Sequence, residues 1–202
     1  YFKYANAPGM MMLDHDPSGE HAIDPVRLMA YLTTICPQLK KVGTVTRGSV
    51  SAGVHKTGQK PSHSKGFHIY IGVNRADDIP RIGAILFNRL WLLGLGYITI
   101  TSAGTMLLRT YIDATVFSPE RLDFAGKPVL KSDGLAYTPP EAVHHPGQLL
   151  ATSQIKDLTD AEAAEVDRLQ AEAKRAMADE ADNVRADWEL AQRAKLEERG
   201  VT

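Results

Sequence analysis

Short apolar runs separated by polar breaks fill the first 150 residues of the chain, and a different regime without Gly or Pro takes over from Thr159 to Arg199. The run Met10-Met11-Met12-Leu13 ends in Asp14-His15-Asp16. It predicts a buried strand, whose period of two sends Asp14 and Asp16 to one face and Leu13 and His15 to the other. Asp24-Pro25 is an N-cap with proline at the first helical position, opening a helix through Ile35 that Pro37 closes. Leu28, Tyr31, Leu32 and Ile35 recur on its core side. Val42 to Arg47 predicts a short strand that runs into the small-residue segment Gly48 to Val54, and His55 to His63 is too rich in Gly, Pro and Lys for regular structure. From Ser64 the pattern alternates, with Phe67, Ile69, Ile71 and Val73 on one face and His68, Tyr70 and Gly72 on the other.

A core helix follows from Ile79-Pro80, with Ile82, Ile85, Leu86, Leu90 and Leu93 at helical spacing and Gly94 and Gly96 ending it. Tyr97 to Thr101 and Met106 to Asp113 predict a hairpin around Ser102-Ala103-Gly104. On its returning strand Leu107, Arg109, Tyr111 and Asp113 share a face. Val116 to Phe124 reads as a short turn or helix, and Lys127 to Gln148, carrying an exposed His144-His145, reads as loop.

Thr159-Asp160-Ala161-Glu162 is a capping box. Behind it Val166, Leu169, Ala173, Met177, Ala181, Val184, Trp188 and Ala191 form a narrow apolar stripe, so the segment is a long amphipathic helix or a helical hairpin. If continuous it reaches about 60 Å. The expected organisation is one domain over 1–150 and an acidic helical arm or linker over 151–202, its stripe packed on the core or on another chain.

At 202 residues the chain holds one sizeable core or one domain with an appendage. It has no apolar run of membrane-spanning length and no secretory signal, and its single cysteine, Cys36, excludes an internal disulfide. A soluble cytoplasmic protein is expected. Tyr1 in place of Met and the short lead before Asp14 suggest a fragment.

The net charge of −1 conceals an asymmetry: residues 1–150 carry 15 Lys and Arg against 11 Asp and Glu, and residues 151–202 carry 8 against 13. Between Pro25 and Ala76 there is no acidic residue, while Arg27, Lys40, Lys41, Arg47, Lys56, Lys60, Lys65 and Arg75 are basic. Such a window suits polyphosphate or a nucleic-acid backbone.

Two carboxylates on one face at a strand end repel each other, and a divalent cation relieves both the repulsion and the cost of burying them. The bland alternative is a solvated turn through Pro17-Ser18-Gly19. His68 points away from the apolar layer, beside Ser64 and Lys65. Asp113 either pairs with Arg109 across one strand face or joins Asp14 and Asp16 as a third carboxylate.

Met12-Leu13-Asp14-His15-Asp16, then Ser64-Lys65-Gly66-Phe67-His68-Ile69-Tyr70, then Arg109-Thr110-Tyr111-Ile112-Asp113 resemble, in order, the three motifs of the archaeo-eukaryotic primase superfamily. The likeness is in particular to primase-polymerases of plasmids, phages and integrated elements. The flanks Ser49 to Gly53, Arg89 to Gly94 and Val116 to Phe124 are similar too, and the likeness covers roughly residues 10–125.

The resemblance implies an α+β fold, with an antiparallel catalytic sheet of the RNA-recognition-motif type backed by helices, a long helical segment behind it and part of an N-terminal module missing. It implies template-directed nucleotidyl transfer with two Mg²⁺ or Mn²⁺ ions held by Asp14, Asp16 and Asp113. Ser64, Lys65 and His68 would contact the phosphates of an incoming NTP or dNTP, with Arg47, Arg109 and Arg121 as further phosphate or template contacts. The implied partners are a single-stranded DNA template and primer, and a helicase domain or partner at the C-terminal helix. Two other readings stand beside it: a catalytically silent DNA-binding initiator or scaffold module, and a related polymerase of repair or defence.

Overall fold

The computed structural model describes residues 2–16, 21–60, 66–123 and 126–199. Among them the elements run β1 (Gly9–His15), α1 (Pro25–Ile35), β2 (Thr44–Gly48), β3 (Val54–Lys56), β4 (Phe67–Val73), α2 (Ile79–Leu92), β5 (Tyr97–Ile100), β6 (Met106–Arg109), β7 (Leu135–Tyr137), β8 (Val143–His145), α3 (Asp160–Ala176) and α4 (Ala178–Glu198). The fold is α+β. It divides into two compact units, residues 1–90 with 111–157, and residues 91–110 with 158–202.

The first unit is built on a four-stranded sheet of order β1-β4-β2-β8, antiparallel at every step. Alternation decides its faces. Met11 and Leu13 of β1 and Ile69, Ile71 and Val73 of β4 are fully buried, as are Leu28 and Leu32 of α1 and Ile82, Leu86 and Leu90 of α2. Each such side chain contributes about 1.5–3 kcal/mol on leaving water. Asp24 starts α1 as its sequence predicts, its carboxylate accepting the Arg27 backbone N–H at 2.8 Å ahead of Pro25. Beyond Ile35 the chain tightens into a short 3-10 turn, Pro37–Lys41, before entering β2.

Residues expected to be loop contribute two strands of three residues each: β7 pairs with β3, and β8 adds an exposed edge to β2 that places His144 opposite Val45. Elements so short, next to Pro139, Pro140 and Pro146, show no readable periodicity. The return of the expected hairpin is also shorter than its pattern, because β6 ends at Arg109. Asp113 caps a 3-10 turn over Ala114–Phe117 instead, its carboxylate accepting the Thr115 backbone N–H at 2.9 Å. Local capping therefore overrides the alternation. Phe117 seats this turn on α2, where a methyl group at Gly83 would overlap its ring.

In the second unit, among the described residues, β5 and β6 pair only with each other, around a turn whose Gly104 has φ of 75°. The capping box at α3 is present, with Glu162 Oε2 accepting from the Thr159 backbone N–H at 2.7 Å and the Glu162 N–H reaching Thr159 Oγ1 at 3.2 Å. The helical segment is not continuous, breaking at Met177 between α3 and α4. Ala181 is fully buried, and Arg185 donates to the Gly104 carbonyl at 3.1 Å. Farther along α4 the stripe opens to solvent, Trp188 being 41% exposed. Among the described residues no helix is long and apolar enough to cross a membrane.

Candidate functional site

Strand register creates the site. Asp14 on β1 stands opposite His68 on β4, and His68 stands opposite Arg47 on β2, so three adjacent strands present one polar row. Residues directly opposed in a ladder share a face, and this face is the one turned away from Leu13 and Ile69. His68 Nε2 lies 3.2 Å from Asp14 Oδ1. Its other ring nitrogen, Nδ1, faces Tyr70 Oη at 3.2 Å and Asp123 Oδ1 at 3.3 Å.

Arg47 and Asp123 close the far side of the imidazole. The Arg47 Nη2 group donates to Tyr70 Oη at 2.7 Å and to Asp123 Oδ1 at 2.9 Å, while Tyr70 Oη donates to Asp123 Oδ2 at 2.6 Å. Burial, reinforced by the bond to the Asp123 carboxylate, pushes the Tyr70 phenol up to about 12. The Arg47 guanidinium also lies over the Tyr70 ring, 5.7 Å from its centroid.

Asp113 reaches the row through the backbone, donating its amide N–H to the Asp14 carbonyl at 2.9 Å. Two residues earlier the Tyr111 carbonyl lies 2.9 Å from His15 Nδ1. A carbonyl only accepts, so Nδ1 carries the proton. The remaining nitrogen, Nε2, then accepts the Ile23 backbone N–H at 3.4 Å. His15 is 2% exposed, and burial holds its pKa below the ordinary value.

Asp14, His68 and Asp113, together with Ser49, Ser51, Thr115 and Arg121, line one pocket of about 310 Å³. Residues scattered over more than a hundred positions thus converge on one concave surface. A larger cavity, about 760 Å³, lies between Pro80, Phe87, Phe117 and Pro119, but its lining is mostly apolar and, among the described residues, Glu120 is its one ionisable group. Chemistry favours the smaller pocket.

The other expected residues are placed less centrally. Asp16 follows the end of β1 and is exposed. Arg121 lines the pocket while donating to the Thr115 carbonyl at 3.1 Å. Arg109 lies on β6 in the second unit. Ser64 and Lys65 fall outside the described residues. Asp123 and Tyr70 were not among the expected site residues. Tyr70 was legible, since it shares the polar alternation of His68; Asp123 sits in an irregular segment that no periodicity assigns.

Among the described residues no three His, Cys, Asp or Glu side chains gather closely enough to hold a metal ion by themselves. The donors that converge are nevertheless hard carboxylate oxygens, from Asp14 and Asp113 in one pocket. That set suits Mg²⁺ or Mn²⁺, since Mg²⁺ is commonly held by one or two carboxylates with water and substrate phosphate completing its shell. Both Asp113 oxygens are engaged by Thr115, Oδ1 through its N–H and Oδ2 through its hydroxyl, each at 2.9 Å. Such bonds orient a carboxylate and leave lone pairs for a cation.

No protein-family model, no curated protein and no solved structure matches the chain.

Proposed function

We propose that the first unit is a template-directed nucleotidyltransferase of the archaeo-eukaryotic primase type, making primers or extending DNA in the replication of a mobile element. The observation that carries this reading is the convergence of Asp14, His68 and Asp113 on one pocket, Asp14 and His68 opposed on neighbouring strands and Asp113 at the cap of the turn beside them. In such a reaction a primer 3′-hydroxyl gives up its proton to water as its oxygen forms a bond to the α-phosphorus of an incoming nucleotide. The bond from that phosphorus to the bridging oxygen breaks, and pyrophosphate leaves with its charge.

Bound Mg²⁺ or Mn²⁺ supplies charge neutralisation on the triphosphate and a more acidic 3′-hydroxyl. Asp14 and Asp113, which line the pocket, would hold such an ion, with Asp16 at the adjoining strand end. His68, fixed between Asp14 and the Tyr70–Asp123 pair, lines the pocket beside the place of the phosphates and orients Asp14, and Arg121, Ser49 and Ser51 would offer donors around them. Arg47 keeps a positive charge behind His68. Positioning and electrostatics carry most of the effect in phosphoryl transfer, so a rigid polar row is the right kind of structure for it.

The direct test is incorporation of labelled NTPs and dNTPs on single-stranded DNA, primed and unprimed, with Mg²⁺ or Mn²⁺. Product from the wild type that disappears in Asp14→Ala is the expected result. DNA binding that is indifferent to EDTA and to Asp14→Asn, with no product from either protein, would instead support the silent scaffold.

A further inference from the structure

Burial would be served at position 15 by any apolar side chain. Met11 and Leu13 precede it on the same face of β1, both fully buried, and the alternation invites a third aliphatic residue. The chain instead places an imidazole there, 2% exposed, with its ring 4.9 Å from that of Phe67. A buried polar ring is tolerated only when its nitrogens are satisfied. Both are, and each by the backbone of a different segment: Nδ1–H by the Tyr111 carbonyl at 2.9 Å, and Nε2 by the Ile23 N–H at 3.4 Å.

The two segments are not arbitrary. Tyr111 precedes Asp113 by two residues, and Ile23 immediately precedes Asp24, the cap of α1. With the neighbouring Asp14 on the opposite face of β1, His15 ties the strand of the first carboxylates to the stretch carrying the third. A second bond lies beside it, from the Asp113 amide to the Asp14 carbonyl at 2.9 Å. The Tyr111 ring reinforces the arrangement, stacked on Tyr31 at 6.0 Å between centroids and met edge-on by His21 at 6.2 Å. β6 has already ended at Arg109, and the His15 bond together with the Asp113 amide bond ties this stretch directly to β1.

We infer that His15 is a positioning residue that fixes the distance between the Asp14 and Asp113 carboxylates, by clamping the Tyr111–Asp113 backbone to β1 through its Nδ1–H. The metal half of this inference rests on the polymerase reading; the clamp itself does not. Both ring nitrogens are spent on backbone groups, so His15 acts through Asp113 and is no ligand. Carboxylates shared between segments bind a small cation only if their spacing is held, and displacement by about 1 Å can cost on the order of 100-fold in rate.

Two variants separate the bond from the packing. His15→Phe fills the ring's space and removes both nitrogens, whereas His15→Asn places an amide N–H where Nδ1–H stood. The clamp is read by hydrogen exchange at the Asp113 amide, the metal site by the paramagnetic resonance of added Mn²⁺, and folding by the cooperativity of the thermal melt. We expect faster Asp113 exchange, roughly tenfold weaker Mn²⁺ binding and about 100-fold slower primer extension in His15→Phe, with His15→Asn near wild type in all three.

Unchanged exchange at Asp113 in His15→Phe overturns the clamp, as does an Asn variant no better than the Phe one. Should the Phe variant fail to melt cooperatively, the Asn variant decides alone: an exposed Asp113 amide in it overturns the clamp, and a protected one supports it. Equal Mn²⁺ binding by wild type and Asp14→Ala overturns the metal half through the failure of the polymerase reading, a result distinguishable from any change in exchange.

Discussion

Arg47 and Asp123, 76 residues apart, form an ion pair at 2.9 Å on the far side of the His68 ring from Asp14. The pair is partly shielded, with side-chain exposures of 19% and 32%. Tyr70 lies within it, accepting from the guanidinium and donating to the carboxylate. Among the described residues His68 is therefore held from both ends, by Asp14 at Nε2 and by Tyr70 and Asp123 at Nδ1.

That arrangement sets the acidity of Tyr70. Burial and the bond to Asp123 raise the phenol to about 12, while Arg47 pulls the other way. Replacing the carboxylate by an amide removes one of the raising causes and leaves the lowering one, so Asp123→Asn brings the Tyr70 titration closer to the ordinary 10. Tyrosinate absorbance near 295 nm, with Tyr70→Phe as the blank, measures it. An unmoved titration would mean that Tyr70 does not feel Asp123 in solution.

Under the proposed function, side chains of the row differ in what their loss costs. Asp14→Ala takes away a carboxylate that the transition state needs for its cation, and extension falls by at least about 10³-fold. Arg47→Ala removes a charge behind His68 and frees Asp123, for a loss nearer 10-fold, seen mainly in KM for the nucleotide. Steady-state kinetics on a primed template checks the order; Arg47→Ala as damaging as Asp14→Ala would place Arg47 at the reacting phosphorus.

How much of this was legible depended on whether the signal was periodic. The strand faces around Asp14 and His68 follow from alternation, and α1 follows from Asp24-Pro25, because both are local consequences of burial and capping. The pairing of β1, β4 and β2 that aligns Asp14, His68 and Arg47 is a long-range choice that no local pattern states. Asp113 was expected on a strand because Leu107, Arg109 and Tyr111 alternate, yet Asp is a better cap than a strand residue, and the cap prevailed. Asp123 was invisible for a related reason: a lone carboxylate after Arg121-Leu122 acquires meaning only when the fold delivers it to Arg47.

Arg81 gives a stability prediction away from the pocket. Its guanidinium binds both Asp78 oxygens, at 2.6 and 2.8 Å, Asp157 at 2.7 Å, and the Ile155 and Thr152 carbonyls at 3.0 and 3.1 Å. It thereby fastens the 152–157 return segment to the start of α2. Allowing for its partial exposure, Arg81→Ala costs about 2 kcal/mol, read as a shift in the urea midpoint with unchanged slope.

The same clasp has a pH signature. The Arg81 guanidinium holds the Asp78 carboxyl below its ordinary value of 3.8. The unfolded chain then binds the proton more readily than the folded one, so the stabilisation is complete well above pH 3.8 and disappears as pH falls through the lower, folded-state value. Urea midpoints of wild type and Arg81→Ala therefore differ at pH 7 and draw together toward pH 2. A difference that stays constant over that range would assign the clasp to its carbonyl bonds alone.

Gly83 tests how firmly the Asp113 turn is seated. Phe117 lies so closely over this glycine that a methyl group would overlap the ring, and Phe117 ends the 3-10 turn that Asp113 caps. In a helix interior Gly→Ala ordinarily stabilises by about 0.5–1 kcal/mol through backbone entropy. Here the aromatic ring must move instead, and overpacking of this kind costs about 1–3 kcal/mol. Gly83→Ala is expected to lower the midpoint of unfolding in spite of its better helix propensity, and the double variant Gly83→Ala/Phe117→Leu to recover part of the loss. A stabilised single variant would show that the ring yields freely, and the turn carrying Asp113 would then owe its position to the bonds from β1 rather than to its seat on α2.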